Sequence, residues 1–159
     1  MIDLDRFSSY NQVISVTARI MAICKDGEKP SLSQIMKLPA LSDMQKAEIA
    51  LIKMAQANIT DIDIQDRYKR FGAYRRRDVI VVVGGRLESR MKATHNNQQI
   101  VLLPHDHRLK HLYIEFAHAS ISATAYKVRL KFWIVKLEKI VRSVGFNCIV
   151  CRKMTKKRC

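Results

Sequence analysis

The sequence predicts a mainly α chain with a small antiparallel β element. Three observations support this. Glycine and proline occur only five and three times in 159 residues, leaving few breaks in helical segments. Apolar residues recur near helical spacing through most of the chain. The one sustained β-branched run, Val79-Ile80-Val81-Val82-Val83, stops at Gly84-Gly85 and reads as a strand followed by a turn. The predicted organisation is a helical connecting region over 1–78, a hairpin-like β segment over 79–104, and a C-terminal three-helix module over 105–159.

A first helix is predicted over 5–26, carried by Phe7, Tyr10, Val13, Ile14, Ile20 and Met21, with a stop at Lys25-Asp26-Gly27. Cys24 sits among Met21, Ala22 and Ile23 and reads as a small buried hydrophobe. Pro30 and Pro39 bound a polar connection. A second helix is predicted over 42–58, with Ser42 and Gln45 spaced as a capping box; the two helices can pack as an antiparallel pair. Residues 59–78 read as polar and irregular. Asp61 and Asp63 lack the glycine and terminal glutamate of a calcium loop. After Val79–Val83, a second strand is predicted at Gln99–Leu103, ended by Pro104. Gly84-Gly85-Arg86 has neither the dinucleotide nor the P-loop pattern. Three short helices then follow, from His107, over Ala123–Lys131 and over Val135–Val144, the last stopped by Gly145. Alone they are too small to hold a core, so a metal staple would matter.

Lysine and arginine total 29 against 14 acidic residues, a formal charge of +15. Such an imbalance points to a polyanionic partner, nucleic acid first. It is concentrated at the end: residues 126–159 hold eleven basic residues and only Glu138 as acid. Lys127, Arg129, Lys131, Arg152 and Lys153 are the candidate phosphate contacts. No pattern specifies bases. The four cysteines are not spaced like a secreted disulfide framework. The N-terminus resembles no secretory leader, and no apolar run is long enough to cross a bilayer. An intracellular, reducing setting is expected, with no membrane partner; the basic clusters would suit nuclear import.

The chemistry-bearing residues lie in the last third. His118 precedes Cys148-Ile149-Val150-Cys151 by thirty residues. An imidazole and two thiolates suit a structural zinc ion, which ordinarily takes four protein ligands. The fourth is open in the sequence. His111 lies seven residues before His118, roughly 10 Å away along an unbroken helix, so it serves only if the helix breaks. His105 and His107 would have to fold back, Cys159 would have to reach from the tail, and water is the remaining option. A redox role for the C-x-x-C is not expected, because the motif does not follow a strand in an α/β unit. Phe132 and Trp133 could stack on bases, but core packing is the expected role.

Several segments, in order, carry a resemblance. Leu4-Asp5-Arg6-Phe7-Ser8-Ser9, Ala47–Gln56, Val81-Val82-Val83-Gly84-Gly85-Arg86-Leu87, Ile100–Pro104, His107-Arg108-Leu109, Phe132-Trp133-Ile134 and Cys148-x-x-Cys151-Arg152 resemble the polyprotein of BEL/Pao-type retrotransposons. The matching stretch joins the RNase H region to the integrase and ends in the integrase zinc-binding, H-H-C-C domain. The resemblance implies that His118, Cys148 and Cys151 are zinc ligands. It also implies DNA as partner and self-association as a second role of the module. The family has two ligand histidines about five residues apart before the F-W-I. Here the spacing fits a loss of about five residues that leaves His118 alone. The family's catalytic core would follow the cysteines, so no catalytic residue and no enzymatic activity is assigned. The expected function is a noncatalytic zinc- and nucleic-acid-binding module; the alternatives are a protein-interaction fragment and a nonfunctional remnant.

Overall fold

A computed structural model describes residues 2–26, 38–84 and 99–156. The connection around Pro30, the Gly85-Arg86-Leu87 part of the family-like motif, and Cys159 lie outside the described residues. The fold is mainly helical with a small four-stranded sheet. After a short 3-10 turn at Leu4–Arg6, the helices are α1 (Tyr10–Asp26), α2 (Leu41–Ala55), α3 (Asp61–Asp66), α4 (Arg108–Ala117), α5 (Ile121–Arg129), α6 (Leu137–Asn147) and α7 (Ile149–Lys156). The strands are β1 (Ala73–Arg75), β2 (Val81–Val83), β3 (Ile100–Leu103) and β4 (Phe132–Ile134), in sheet order β1-β2-β3-β4.

The sheet is larger than the predicted antiparallel element, and it is mixed. β1–β2 and β2–β3 are antiparallel, whereas β4 joins β3 in parallel, with Leu102 opposite Trp133. Both faces are covered. Ile80, Val82, Leu103, Phe132 and Ile134 enter the main core with α1, α2, α4, α5 and α6. Val81, Val83, Leu102 and Trp133 enter a second cluster with Ile59, Ile64, Tyr68 and Phe71. Burial on both faces explains why Val79–Val83 is apolar throughout rather than alternating. Phe132 and Trp133 take the core-packing role expected of them. They form a strand, with Phe132 fully buried and Trp133 turned to the opposite face against Phe71, ring centroids 5.3 Å apart.

The span predicted to be irregular contains α3, a 3-10 turn at Lys69–Phe71, and β1. Thr60 and Asp63 form a reciprocal capping box, which starts a helix too short to show periodicity. Asp61 bonds Arg75 at 3.1 Å, so these carboxylates are structural. The next hairpin turns tightly: Val79 N–H donates to the Arg76 carbonyl at 2.9 Å, and Arg76 N–H to the Ile80 carbonyl at 2.8 Å. Val79 therefore takes a φ of 73° instead of extending the strand, a strained conformation for a β-branched residue.

Other expectations shift by smaller amounts. Helix α1 starts at Tyr10, and Ala40, not Ser42, occupies the N-cap of α2 without a side-chain bond. Cys24 is exposed rather than buried, because the buried positions of α1 (Tyr10, Val13, Ile14, Thr17, Ala18) end before the helix does. The C-terminal helices do not have to stabilise themselves: Leu109, Leu112, Ile114, Val128 and Val141 share one core with α1 and α2.

Candidate metal centre

Gly145 does not stop α6, which runs on to Asn147 with Cys148 as its C-cap. The glycine is kept for space. A Cβ there would stand 3.2 Å from Ile121 Cγ1, so the start of α5 can lie close against the end of α6. That approach sets the two halves of the candidate site side by side. His118 is the C-cap of α4, just before Ser120 caps α5. Cys148 sits between α6 and α7, and its carbonyl accepts from Arg152 N–H at 3.0 Å. Cys151 lies in the first turn of α7.

The structure brings His118, Cys148 and Cys151 together. Their ligand atoms lie within 4.8 Å of one another, and His118 Nε2 is 3.2 Å from Cys151 Sγ. Metal–ligand bonds of roughly 2.0–2.3 Å in a tetrahedral site place ligand atoms within such a span, so the group could hold a metal ion. Backbone N–H groups of Cys151 and Val150 draw the Cys148 thiol below its ordinary pKa. Desolvation and the neighbouring Cys148 push the Cys151 thiol up.

The other ring nitrogen of His118 is also provided for. Thr124, fully buried, accepts from Ala119 N–H at 3.1 Å and donates its hydroxyl proton to the Ser120 carbonyl at 2.5 Å. Its Oγ1 stands 3.4 Å from His118 Nδ1. With its single proton committed to Ser120, the hydroxyl can only accept from the imidazole. A proton on His118 Nδ1 would meet this acceptor and leave the Nε2 lone pair toward the cysteines, the usual outer-shell arrangement of a ligating histidine. Thr124→Val keeps the shape and removes the acceptor. It should weaken metal affinity about 10- to 100-fold, measured by competition with a chromogenic chelator; unchanged affinity would show that His118 is oriented without it.

Among the fourth-ligand candidates, two are placed away from the His118, Cys148 and Cys151 group. His107 caps the opposite end of α4, accepting from Leu109 N–H at 3.3 Å. His105 bonds Asp106 at 3.0 Å. Helix α4 is unbroken from Arg108 to Ala117, so His111 keeps its two-turn separation from His118. It does line the same cavity of about 390 Å3 as Glu115, His118 and Cys148. Burial, with Lys110 and Arg108 nearby, lowers its pKa.

The candidate phosphate contacts divide into two groups. Lys131 is bound to both Glu48 carboxylate oxygens at 2.6 Å, and Arg129 pairs with Glu138 at 3.0 Å. Glu48 also accepts from the buried Tyr10 hydroxyl, whose pKa is raised by burial and by that carboxylate. Lys127, Arg152 and Lys153 are exposed and have no ion pair among the described residues. Lys127 and Arg76 border a cavity of about 870 Å3 that also includes Phe116. No described helix is long and apolar enough to cross a membrane. Compared with family models, curated proteins and solved structures, the chain matches none.

Proposed function

We propose that this chain is a noncatalytic nucleic-acid-binding module whose C-terminal helices are clasped by zinc, and that it derives from a BEL/Pao-type integrase zinc-binding region. The convergence of His118, Cys148 and Cys151 carries the reading. Two thiolates and an imidazole favour zinc over harder divalent ions, and the bond from His118 Nδ1 to Thr124 suits a ligating histidine. The clasp would hold α7 against the junction of α4 and α5, and so present Arg152 and Lys153 on an ordered helix. With Lys127 they form the phosphate-facing set; Arg129 and Lys131, already paired with carboxylates, contribute less. The charge of +15 supports backbone-directed, weakly sequence-selective binding.

The test combines metal analysis with a salt titration. Purified protein should carry one zinc per chain. Affinity for a labelled DNA duplex should fall linearly as salt rises on logarithmic axes. The double variant Lys127→Gln/Lys153→Gln should reduce that slope by about 2. Zinc-free protein, or affinity indifferent to salt, would count against the proposal.

A protein-interaction role is the second reading, and one observation favours it. Phe146, Ile149 and Val150 are 72%, 66% and 64% exposed beside the cysteines. Exposed apolar groups clustered in this way suit a protein contact. Concentration-dependent sedimentation that is lost in Phe146→Ser would support self-association there.

A further inference from the structure

We infer that Glu115 supplies the fourth ligand of the metal centre, completing a His-Glu-Cys-Cys set; this rests on the reading that His118, Cys148 and Cys151 hold the ion. The cavity of about 390 Å3 beside the three ligands is bordered by His118 and Cys148 and also by Glu115 and His111. Distance along the helix decides between these last two. His111 is seven residues from His118, roughly 10 Å of rise, whereas Glu115 is three residues away, roughly 4.5 Å, and on the same face. The turn between them is closed by a bond from His118 N–H to the Glu115 carbonyl at 3.2 Å, which fixes the two residues relative to each other.

Glu115 is also available: its carboxylate stands outside the group of three ligand atoms, and its side chain would swing in to reach the ion. Its side chain is exposed and makes no hydrogen bond or ion pair among the described residues, in a chain carrying +15. A carboxylate is an ordinary zinc ligand, while the neutral oxygens of Ser143 and Asn147 on the same cavity wall are not. Two thiolates balance a divalent ion, so the added carboxylate leaves one negative charge, which a strongly basic chain accommodates.

Cobalt(II) loaded into the full chain reports the ligand set directly. The wild type should show thiolate-to-cobalt absorption together with the intense visible bands of a four-coordinate ion. Glu115→Gln should lose intensity in those bands as solvent enters. Its cobalt affinity should fall by at least about 10-fold, with an unchanged circular dichroism spectrum. His111→Ala should match the wild type. If Glu115→Gln keeps the wild-type spectrum and affinity while Cys148→Ser abolishes binding, the three-ligand centre stands and Glu115 is excluded. If His111→Ala produces the loss instead, His111 is the ligand. If the wild type takes up no cobalt, the metal centre fails and the assignment of Glu115 fails with it.

Discussion

Gln56→Leu is expected to lower the unfolding free energy by about 3 kcal/mol, because it strands several buried polar groups at once. Gln56 is 2% exposed at the C-cap of α2. Its amide nitrogen donates to the Val81 carbonyl at 2.9 Å and the Leu102 carbonyl at 2.6 Å, and its oxygen accepts from Val81 N–H at 2.8 Å. The β2–β3 register pairs Val82 with Val101 and Val83 with Ile100, so Val81 and Leu102 would be the next pair. The glutamine side chain takes the place of that rung and ties both strands to α2. Leucine fills the volume without the bonds, leaving one N–H and two carbonyls to find new partners or stay unpaired. Each unpaired buried group costs roughly 1–3 kcal/mol, and partial closure of the strands offsets some of the sum. Urea denaturation measures the difference; a loss under about 0.5 kcal/mol, the range of ordinary surface changes, would mean the strands close without help.

Cys148→Ser should abolish stoichiometric metal uptake and erase the stabilisation that added zinc gives the wild type. At a free ion concentration 100 times the dissociation constant, that stabilisation is about 2.7 kcal/mol. For a chain of this size it corresponds to a melting shift of roughly 5–10 °C. Unfolding of the whole chain is not expected. The main core contains none of the three ligands, in contrast to zinc fingers that fold only with metal. Amide exchange should therefore accelerate in α7 on chelation while β2 and β3 stay protected. Equal melting temperatures for wild type and variant in excess zinc would contradict the clasp.

The helical class was legible because α1, α2 and the C-terminal helices carry long apolar spacings, and Val79–Val83 announced a strand. What was lost depended on contacts between distant segments. Phe132-Trp133-Ile134 is too short to declare itself, and it becomes a strand only because Leu102 and its neighbours offer a parallel partner. Gly145 read as a terminator because its spacing role depends on Ile121, which is remote in sequence. Gln56 carried no signal, since a polar residue at a helix end is ordinary until the strands beneath it are known. At the candidate centre, the three residues that could hold an ion were readable from chemistry and spacing. Thr124 and Glu115 were not; their significance comes from what the folded chain sets beside His118. The basic residues were visible as charge, but Glu48 and Glu138, which pair with two of them, had to be located in space.

The parallel pairing of β4 would give a bound ion a topological role. The crossover from β3 to β4 contains α4, His118 and α5, and the two cysteines follow β4. An ion joining His118 to Cys148 and Cys151 would close residues 118–148 into a ring that includes β4. Among the described residues that strand is also the last in the sheet, with one backbone edge unmatched by another strand of the same sheet, and such margins are where separate chains pair into aggregates. Loading the ring would anchor the margin strand on both flanks; emptying it would leave only three residues of ladder to keep the strand in register. Solubility, as much as binding, would then follow the supply of metal.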